Sequence, residues 1–542
     1  MNVLGLSAFY HESACCLIRD GRLVAAAAEE RFSRVKHDPR LPVGAYRFCL
    51  DAGGLDVTDL DAVAYYEEPV PKLARQIWAG APDGGDPDLP WLDPHQAERA
   101  IREGLGWSGP VLTFPHHLCH AASAYFFSGF PEAAVLTVDG VGEWATTTYG
   151  RGDGGELTLF DQVDFPHSLG LFYSTITSYL GFRVNGGEAK VMGLASYGTP
   201  RHADRLGRLL ADGPGGSFTL DLAYFDFLRG RRMYSDALVE LLGEPPREPE
   251  SELTDFHRDL AASAQAVLEE VLLTQVRWLH GEAPSEHLCM AGGVALNCVA
   301  NGRILRDGPF SHLFVQPAAG DQGGCLGAAM LGWRRLAERP AVPVSLPHAF
   351  WGREHGRDEI AELLAAAELP AIDFGGDDSL LLSEVARRLA EGEVVGWFSG
   401  RAELGPRALG ARSILADPRD SRMRDRLNSL KRREGFRPFA PAVLAEHAGE
   451  HFDLPAGSED LARFMLVTAL VDSPRSLPAV THVDGTARPQ VVEREHAPRL
   501  AALLDAFHRR TGCPVLLNTS FNVRGEPIVD SPADALKTMV EA

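Results

Sequence analysis

Residues 113–140 read TFPHHLCHAASAYFFSGFPEAAVLTVDG, and the reading of this stretch decides how the rest of the chain is understood. His116 and His120 stand four apart, which in a helix sets two imidazoles one above the other on a single face, where they can share one metal ion. The apolar run Ala133–Val138 predicts a buried strand. It ends in Asp139-Gly140, so a carboxylate stands where strand gives way to loop, the place where ligands gather in open α/β sheets. A histidine pair near a helix start also serves capping or core packing; the carboxylate on the following loop is what favours a metal.

The 542 residues, 45% of them hydrophobic, suffice for two or three domains with filled cores. A net charge of −22 argues against a nucleic-acid groove as the main binding surface, because phosphate backbones are held by clustered Lys and Arg. No run of about 18 apolar residues predicts a membrane span. The N-terminus enters a strand pattern at once, without a basic region or cleavage site, so the expectation is a cytoplasmic protein. Eight cysteines lie mostly in apolar runs and form no C-x-x-C, which predicts buried, reduced thiols.

Val3–Ala8, Ser13–Ile18 and Arg22–Ala28 read as three strands, the last two joined by the hairpin turn Asp20-Gly21. The pattern returns with Ala133–Val138, Thr146–Tyr149 and Leu157–Val163, the last pair joined through Asp153-Gly154-Gly155. Two copies imply a duplicated half. Paired ribonuclease-H-like halves around a nucleotide cleft are the architecture of the actin, sugar kinase and chaperone group. In such a cleft His11 and Glu12 face residues Asp139 to Glu143, Gly140 and Gly142 among them.

Pro42–Gly53 predicts a helix, Pro82–Asp93 a surface loop and Asp255–His280 a long amphipathic helix. In Asn185–Gly193, glycines allow close backbone approach beside Glu188 and Lys190; a surface turn is the alternative. The strand His287–Met290 runs into Ala291–Asn297, where Gly292 and Gly293 offer backbone N–H groups to an anion or nucleotide. The strand Leu313–Gln316 leads to Gly320–Gly324, followed by a helix Cys325–Leu336, so Asp321 repeats the strand-to-loop placement of Asp139. Two imidazoles and two carboxylates suit Fe²⁺, Mn²⁺ or Zn²⁺ better than Mg²⁺ or Ca²⁺.

Arg339–Pro347, with three prolines in nine residues, reads as a linker between modules 1–340 and 350–542. Beyond it, a helix Ser383–Ala390 and a strand Val394–Phe398 precede Arg401, Arg407 and Arg412, spaced by glycines. These guanidiniums can converge on one polyanion, as can the second basic group Lys431–Phe439; a solvated basic face is the alternative. The strand Val515–Leu517 is expected to end in a polar loop, Asn518–Asn522.

FYHESA (9–14), ERFSRVKHD (30–38), HHLCHAASAY (116–125), KVMGLASYG (190–198), AGGVALN (291–297) and GDQGG (320–324) together resemble the O-carbamoyltransferases of antibiotic and nodulation-factor biosynthesis. FSGRAELGPRALGARSILADPR (398–419), RPFAPAVL (437–444) and LLNTSFNVRGEPI (516–528) carry the likeness into the second half. The resemblance implies an α/β chain: a duplicated actin-like module, then a YrdC-like module that forms carbamoyl-adenylate from carbamoyl phosphate and ATP with Mg²⁺. It implies His116, His120, Asp139 and Asp321 as ligands of a divalent metal, iron above others, and His11 as the residue that activates an acceptor hydroxyl. Lys36, Gly140, Gly142, Glu188, Lys190, Gly292, Gly293 and Asn297 are expected at the adenylate. Arg401, Arg407, Lys431, Arg437, Arg488, Asn518 and Ser520 are expected at carbamoyl phosphate and ATP.

The implied acceptor is a small molecule, best a sugar hydroxyl on a secondary metabolite, with segment 199–254 as its wall. No nucleic acid and no membrane is expected as partner; a homodimer is plausible. Rival readings are an actin-like sugar kinase or ATPase, a nucleotide-binding regulatory protein, and a tRNA threonylcarbamoyl-type transferase.

Overall fold

A computed structural model describes residues 1–80, 93–228 and 232–542, so nearly all of the loop expected over Pro82–Asp93 lies outside the described residues. The first sheet is built from β1 (Asn2–Ser7), β2 (Ala14–Arg19), β3 (Arg22–Ala28), β4 (Ala62–Tyr65) and β5 (Val111–Thr113), in the order β3-β2-β1-β4-β5. β2 runs antiparallel to both neighbours, while β4 and β5 run parallel to β1. Asp20 and Gly21 both have positive φ, 51° and 78°, as a tight two-residue hairpin turn demands. Along this half lie α1 (Val43–Gly53), α2 (Pro69–Ala79) and α3 (His116–Ser128).

The second sheet repeats the plan with β6 (Glu132–Val138), β7 (Ala145–Asp153), β8 (Glu156–Asp164), β9 (His287–Ala291) and β10 (His312–Val315). Its order is β10-β9-β6-β7-β8, with β7 antiparallel to both neighbours and β9 and β10 parallel to β6. Strand for strand this is the first sheet again, and it is the duplicated ribonuclease-H-like plan of actin-like proteins. Its helices include α4 (Glu188–Ala195), α5 (Asp255–Glu282) and α6 (Asp321–Ala337).

α3 and α6 pack on one another at the centre, α6 also on β1, β2 and β4, and α3 on β6 and β9. Small residues make this possible: a Cβ on Gly327 of α6 would stand 1.8 Å from the Cys119 carbonyl oxygen of α3. The close pairing places the first turns of α3 and α6 side by side, and those turns carry His116, His120 and Asp321.

No helix or strand lies between Ala337 and Arg357. Val344 and Leu346 of this segment donate backbone hydrogen bonds to Phe126 and Phe127 at the end of α3. The second module is α/β, with β11 (Val395–Phe398), β12 (Arg412–Ala416), α7 (Arg422–Leu430), β13 (Ala440–Leu444), β14 (Gln490–Val492), α8 (Pro498–Thr511) and β15 (Val515–Ser520). Its mixed sheet is ordered β11-β12-β15-β13-β14. The module has its own core, yet Leu404, Leu409, Ala440 and Phe464 join the core of the first module.

The structure departs from the sequence pattern at four places. Asn518, Thr519 and Ser520 belong to strand β15 rather than a loop, because their backbones pair with β12 or β13. Asp321 opens helix α6 instead of a loop. Glu188 and Lys190 lie in the helix that follows the glycine turn. Residues 293–296 form one 3₁₀ turn, and neither glycine amide is free for a ligand: Gly292 N–H donates to Ala319 and Gly293 N–H to Asp139. All eight cysteines are buried and unpaired.

Candidate functional site

His116 and His120 project from the first turns of α3, Asp139 leaves the end of β6, and Asp321 opens α6. Their four donor atoms lie within 4.8 Å of one another, and all four residues are buried. His116 Nε2 is 3.3 Å from Asp139 Oδ2 and 3.6 Å from Asp321 Oδ1; His120 Nε2 is 3.8 Å and 3.5 Å from the same atoms. These separations are long for hydrogen bonds. They match the edge of a tetrahedron whose centre is about 2.1 Å from each N or O donor.

The donor set fits a divalent metal on a second ground. Both carboxylate oxygens of Asp321 and both ring nitrogens of His120 are buried without a hydrogen-bond partner among the described residues. Burial opposes charge on these groups, but the facing imidazoles and carboxylates win: Asp139 is held well below the usual carboxylate range, and the His120 imidazole is pushed up to about 9. Surrounding residues fix the ligands. The Gly293 amide donates to Asp139 Oδ1 at 2.7 Å, and Glu143 accepts from the His116 amide at 3.0 Å and from the Glu68 amide at 2.7 Å. Gly292 has φ 94°, and a Cβ there would stand 2.2 Å from the Val138 carbonyl oxygen, so glycine is required for β9 to deliver Gly293 to Asp139.

His11 borders this group, its Nε2 3.5 Å from Asp321 Oδ2 and its ring 4.6 Å from that of Tyr10. The loop after β3 is tied in by the pair His37–Glu12 at 2.8 Å and by Asp38, whose carbonyl accepts from the Ser13 amide and hydroxyl. Hydrogen bonding to Arg40 holds the Asp38 carboxyl down at about 2, against the opposing effect of burial. A depressed carboxyl stabilises the fold above its unfolded pKa and loses that contribution as pH falls through the folded value. Asp38→Asn is therefore expected to cost about 1 kcal/mol at pH 6, a figure reduced for the exposed Arg40 end of the pair, and almost nothing at pH 2. Urea unfolding of both proteins at the two pH values reads this; an equal loss at both would remove the charge from the account.

His11, Asp139 and Asp321 line a cavity of ≈ 1020 Å³, and so do Arg407, Lys431, Arg433, Arg437, Arg488, Asn518 and Ser520 of the second module. Lys36, Gly140, Glu188, Lys190, Gly293 and Asn297 lie on the same walls. Lys431 is buried and donates to Asn522 Oδ1 at 2.9 Å, the Asn522 carbonyl at 2.8 Å and the Ser520 carbonyl, all neutral acceptors. Burial, then Arg433 and Arg437, pull its ammonium well below the usual lysine range. The Nε atoms of Arg407 and Arg488 are buried without a partner among the described residues. Such a group of cations asks for a polyanion.

Besides the fully buried His116 and His120, three expected site residues do not line the cavity. Arg401 donates to the Trp351 and Gly352 carbonyls at 2.8 and 3.0 Å and serves to pin the inter-module segment. Gly142 packs on His116 and His117, where a Cβ would come within 2.9 Å of the His117 ring. Gly292 makes the close approach to β6 described above. Several residues that remain have structural duties as well: Glu188 holds the Asn185 and Gly186 amides, Asn297 caps the following helix, and Asn518 Nδ2 donates to Gln490 at 2.7 Å. Lys190 pairs with Glu434 at 2.6 Å across the two modules. Of segment 199–254, Tyr234 and residues 246–250 line the cavity, while Tyr224 and Phe225 do not. Arg433, Glu434 and Tyr10 were not singled out by the sequence, although each stands inside a quoted motif or basic run.

Among the described residues, no helix is long and apolar enough to cross a membrane. Known proteins place the chain. The family model described as carbamoyltransferase C-terminus matches residues 386–542, and that described as carbamoyltransferase N-terminus matches residues 2–76 and 105–330. A Synechocystis protein, sll1178, is 43% identical over 99% of this chain and 94% of its own length. The nodulation protein NolNO of Sinorhizobium fredii is 39% identical over 98% of this chain and 77% of its own, and NolO of Bradyrhizobium diazoefficiens 41% identical over 78% and 76%. With both family models matched across most of its length, the chain belongs to the carbamoyltransferase family.

Proposed function

We propose that this enzyme carries out ATP-dependent O-carbamoylation of a small-molecule hydroxyl, with residues 350–542 forming the carbamoyl donor and residues 1–340 transferring it. The observation that supports this reading is one cavity walled on one side by His11 with Asp139 and Asp321 of the buried His/Asp group and on the other by the Arg/Lys group. In the first step, water releases phosphate from carbamoyl phosphate, and the resulting carbamate displaces pyrophosphate from ATP to give carbamoyl-adenylate. Arg407, Lys431, Arg437 and Arg488 neutralise the charge that gathers on the phosphates. An adenylate formed inside this cavity reaches the transfer site without crossing bulk water.

In the second step the acceptor hydroxyl attacks the carbamoyl carbon and AMP leaves. Since His11 turns Nε2 toward Asp321, its Nδ1 is the ring nitrogen left to take the hydroxyl proton. His116, His120, Asp139 and Asp321 would hold a divalent metal, Fe²⁺ before Mn²⁺ or Zn²⁺, which when bound supplies Lewis-acid polarisation. The YrdC-like character of the second module and the use of Mg²⁺ with ATP belong to the same proposal.

Product analysis tests it. With carbamoyl phosphate, ATP and an acceptor panel, the expected products are AMP, pyrophosphate and a carbamoylated acceptor; ADP without pyrophosphate would favour a kinase instead. His11→Asn is expected to lower transfer about 100- to 1000-fold. Unaltered transfer in that variant would remove His11 from the chemistry.

A further inference from the structure

Beside His11, and outside the cavity just described, lies an aromatic face that the mechanism does not use. Helix α2 has no buried residue and exposes Val70, Ile77 and Trp78. The Trp78 ring meets those of Trp144 and Phe165 at 5.7 and 6.0 Å, and Phe165 meets Phe227 at 6.3 Å. The Arg75 guanidinium stands 5.4 Å over the Phe165 ring, and its Nε is buried with no hydrogen-bond partner among the described residues.

This face is bound to the reacting centre. Trp144 follows Glu143, the carboxylate that holds both the Glu68 amide before α2 and the His116 amide at the start of α3. Tyr10, 40% exposed, lines the cavity, packs tilted against His11 and lies 5.8 Å below the Lys72 ammonium of α2. The nearby carboxylates are already engaged: Glu67 with Lys72 at 2.5 Å, and Glu143 with the two amides. Arg75, with Glu67 and Glu143 near but engaged elsewhere, thus keeps a buried Nε without a partner among the described residues, beside the rings of this face. The exposed Trp78 ring and the half-buried Trp144 ring beside it can take the C–H face of a saturated sugar ring, and a guanidinium takes its oxygens.

We infer that Arg75, Trp78 and Trp144, backed by the buried Phe165 ring, form the acceptor subsite, that the acceptor reaches His11 past Tyr10 from this outer face, and that it is a hydroxylated ring that is neutral or carboxylated rather than an amino sugar. The inference rests on the carbamoyl-transfer reading for its meaning, but its test does not depend on turnover. The probes are methyl β-glucoside, methyl β-glucuronide and methyl β-glucosaminide at pH 7, with binding followed by tryptophan fluorescence and by saturation-transfer NMR on the full chain. The glucuronide and glucoside are expected to bind at least about 5-fold more tightly than the glucosaminide. Trp78→Ala is expected to weaken the first two by about 3- to 10-fold. Arg75→Gln should erase the preference for the glucuronide, and Arg75→Lys should keep part of it, with melting curves showing that each variant is folded. Equal or tighter binding of the glucosaminide, binding unchanged in both Trp78→Ala and Arg75→Gln, or no binding of any probe would overturn the subsite. The wild-type donor reaction, read as pyrophosphate release from ATP with carbamoyl phosphate, is measured alongside. Its absence would sink carbamoyl transfer while leaving the order of ring binding to be judged by itself.

Discussion

Asp321→Asn is expected to strip the divalent metal from the protein and to lower carbamoyl transfer on the order of 1000-fold. The reason lies in the local balance of donors and acceptors. Both oxygens of Asp321 are fully buried and, among the described residues, accept no hydrogen bond, so the carboxylate is answered by the imidazoles 3.5 to 3.6 Å away. The amide is almost the same size, but it carries no charge and brings an N–H₂ into a space built for acceptors. In the metal-free state the change also leaves the His120 imidazole, pushed up to about 9, with one carboxylate where it had two, and a buried cation losing a partner costs about 3–5 kcal/mol. Metal content per chain by elemental analysis, chemical unfolding with and without chelator, and labelled carbamoyl transfer give three separate readings. A variant that keeps one metal per chain and a wild-type response to chelator would mean that Asp321 is not a ligand.

How much of this centre could be read in advance depended on whether the signal was local. The His116–His120 pair and the strand ending in Asp139 are visible because helix and strand periods are written within a few residues. Duplication was legible for the same reason: each half opens with three short apolar runs separated by turn residues, and those runs became β1–β3 and β6–β8. Asp321 was legible as a carboxylate after a strand, but not as the first residue of a helix. Gly320-Asp321-Gln322-Gly323-Gly324 has weak helix propensity, and only its packing against Gln316 and Tyr66 makes those glycines helical. Backbone hydrogen bonds decided the other misplacements. The amides at Gly292 and Gly293 were expected to greet a ligand and instead satisfy Ala319 and Asp139, and Arg401 spends its guanidinium on carbonyls of the inter-module segment. Nothing in the sequence of α2 marks Arg75 or Trp78, whose surroundings come from β6–β7 and from residues 165 and 227, far along the chain.

The arginine group leads to a prediction in which stability and activity part. Arg407→Met is expected to make the ligand-free protein more stable, by about 1–2 kcal/mol, and at the same time to lower pyrophosphate release about 100-fold. Burial and the neighbouring Arg488 charge both weigh against the Arg407 guanidinium, and its Nε has no acceptor among the described residues to offset the loss of water. Lys431, Arg433 and Arg437 nearby carry the same sign and are likewise pulled down by burial first. An unliganded cluster of this kind is held together at a cost, which a dianionic or tetraanionic substrate repays by pairing with the forks of several guanidiniums. Methionine fills much of the same volume without the desolvation penalty. Urea unfolding should therefore show a higher midpoint for Arg407→Met than for wild type in phosphate-free buffer. Adding inorganic phosphate should raise the wild-type midpoint more than that of the variant, and the wild-type gain should shrink as sodium chloride is added. A variant less stable than wild type, yet equally responsive to phosphate, would mean that Arg407 is tied down by the fold and that the anion binds elsewhere.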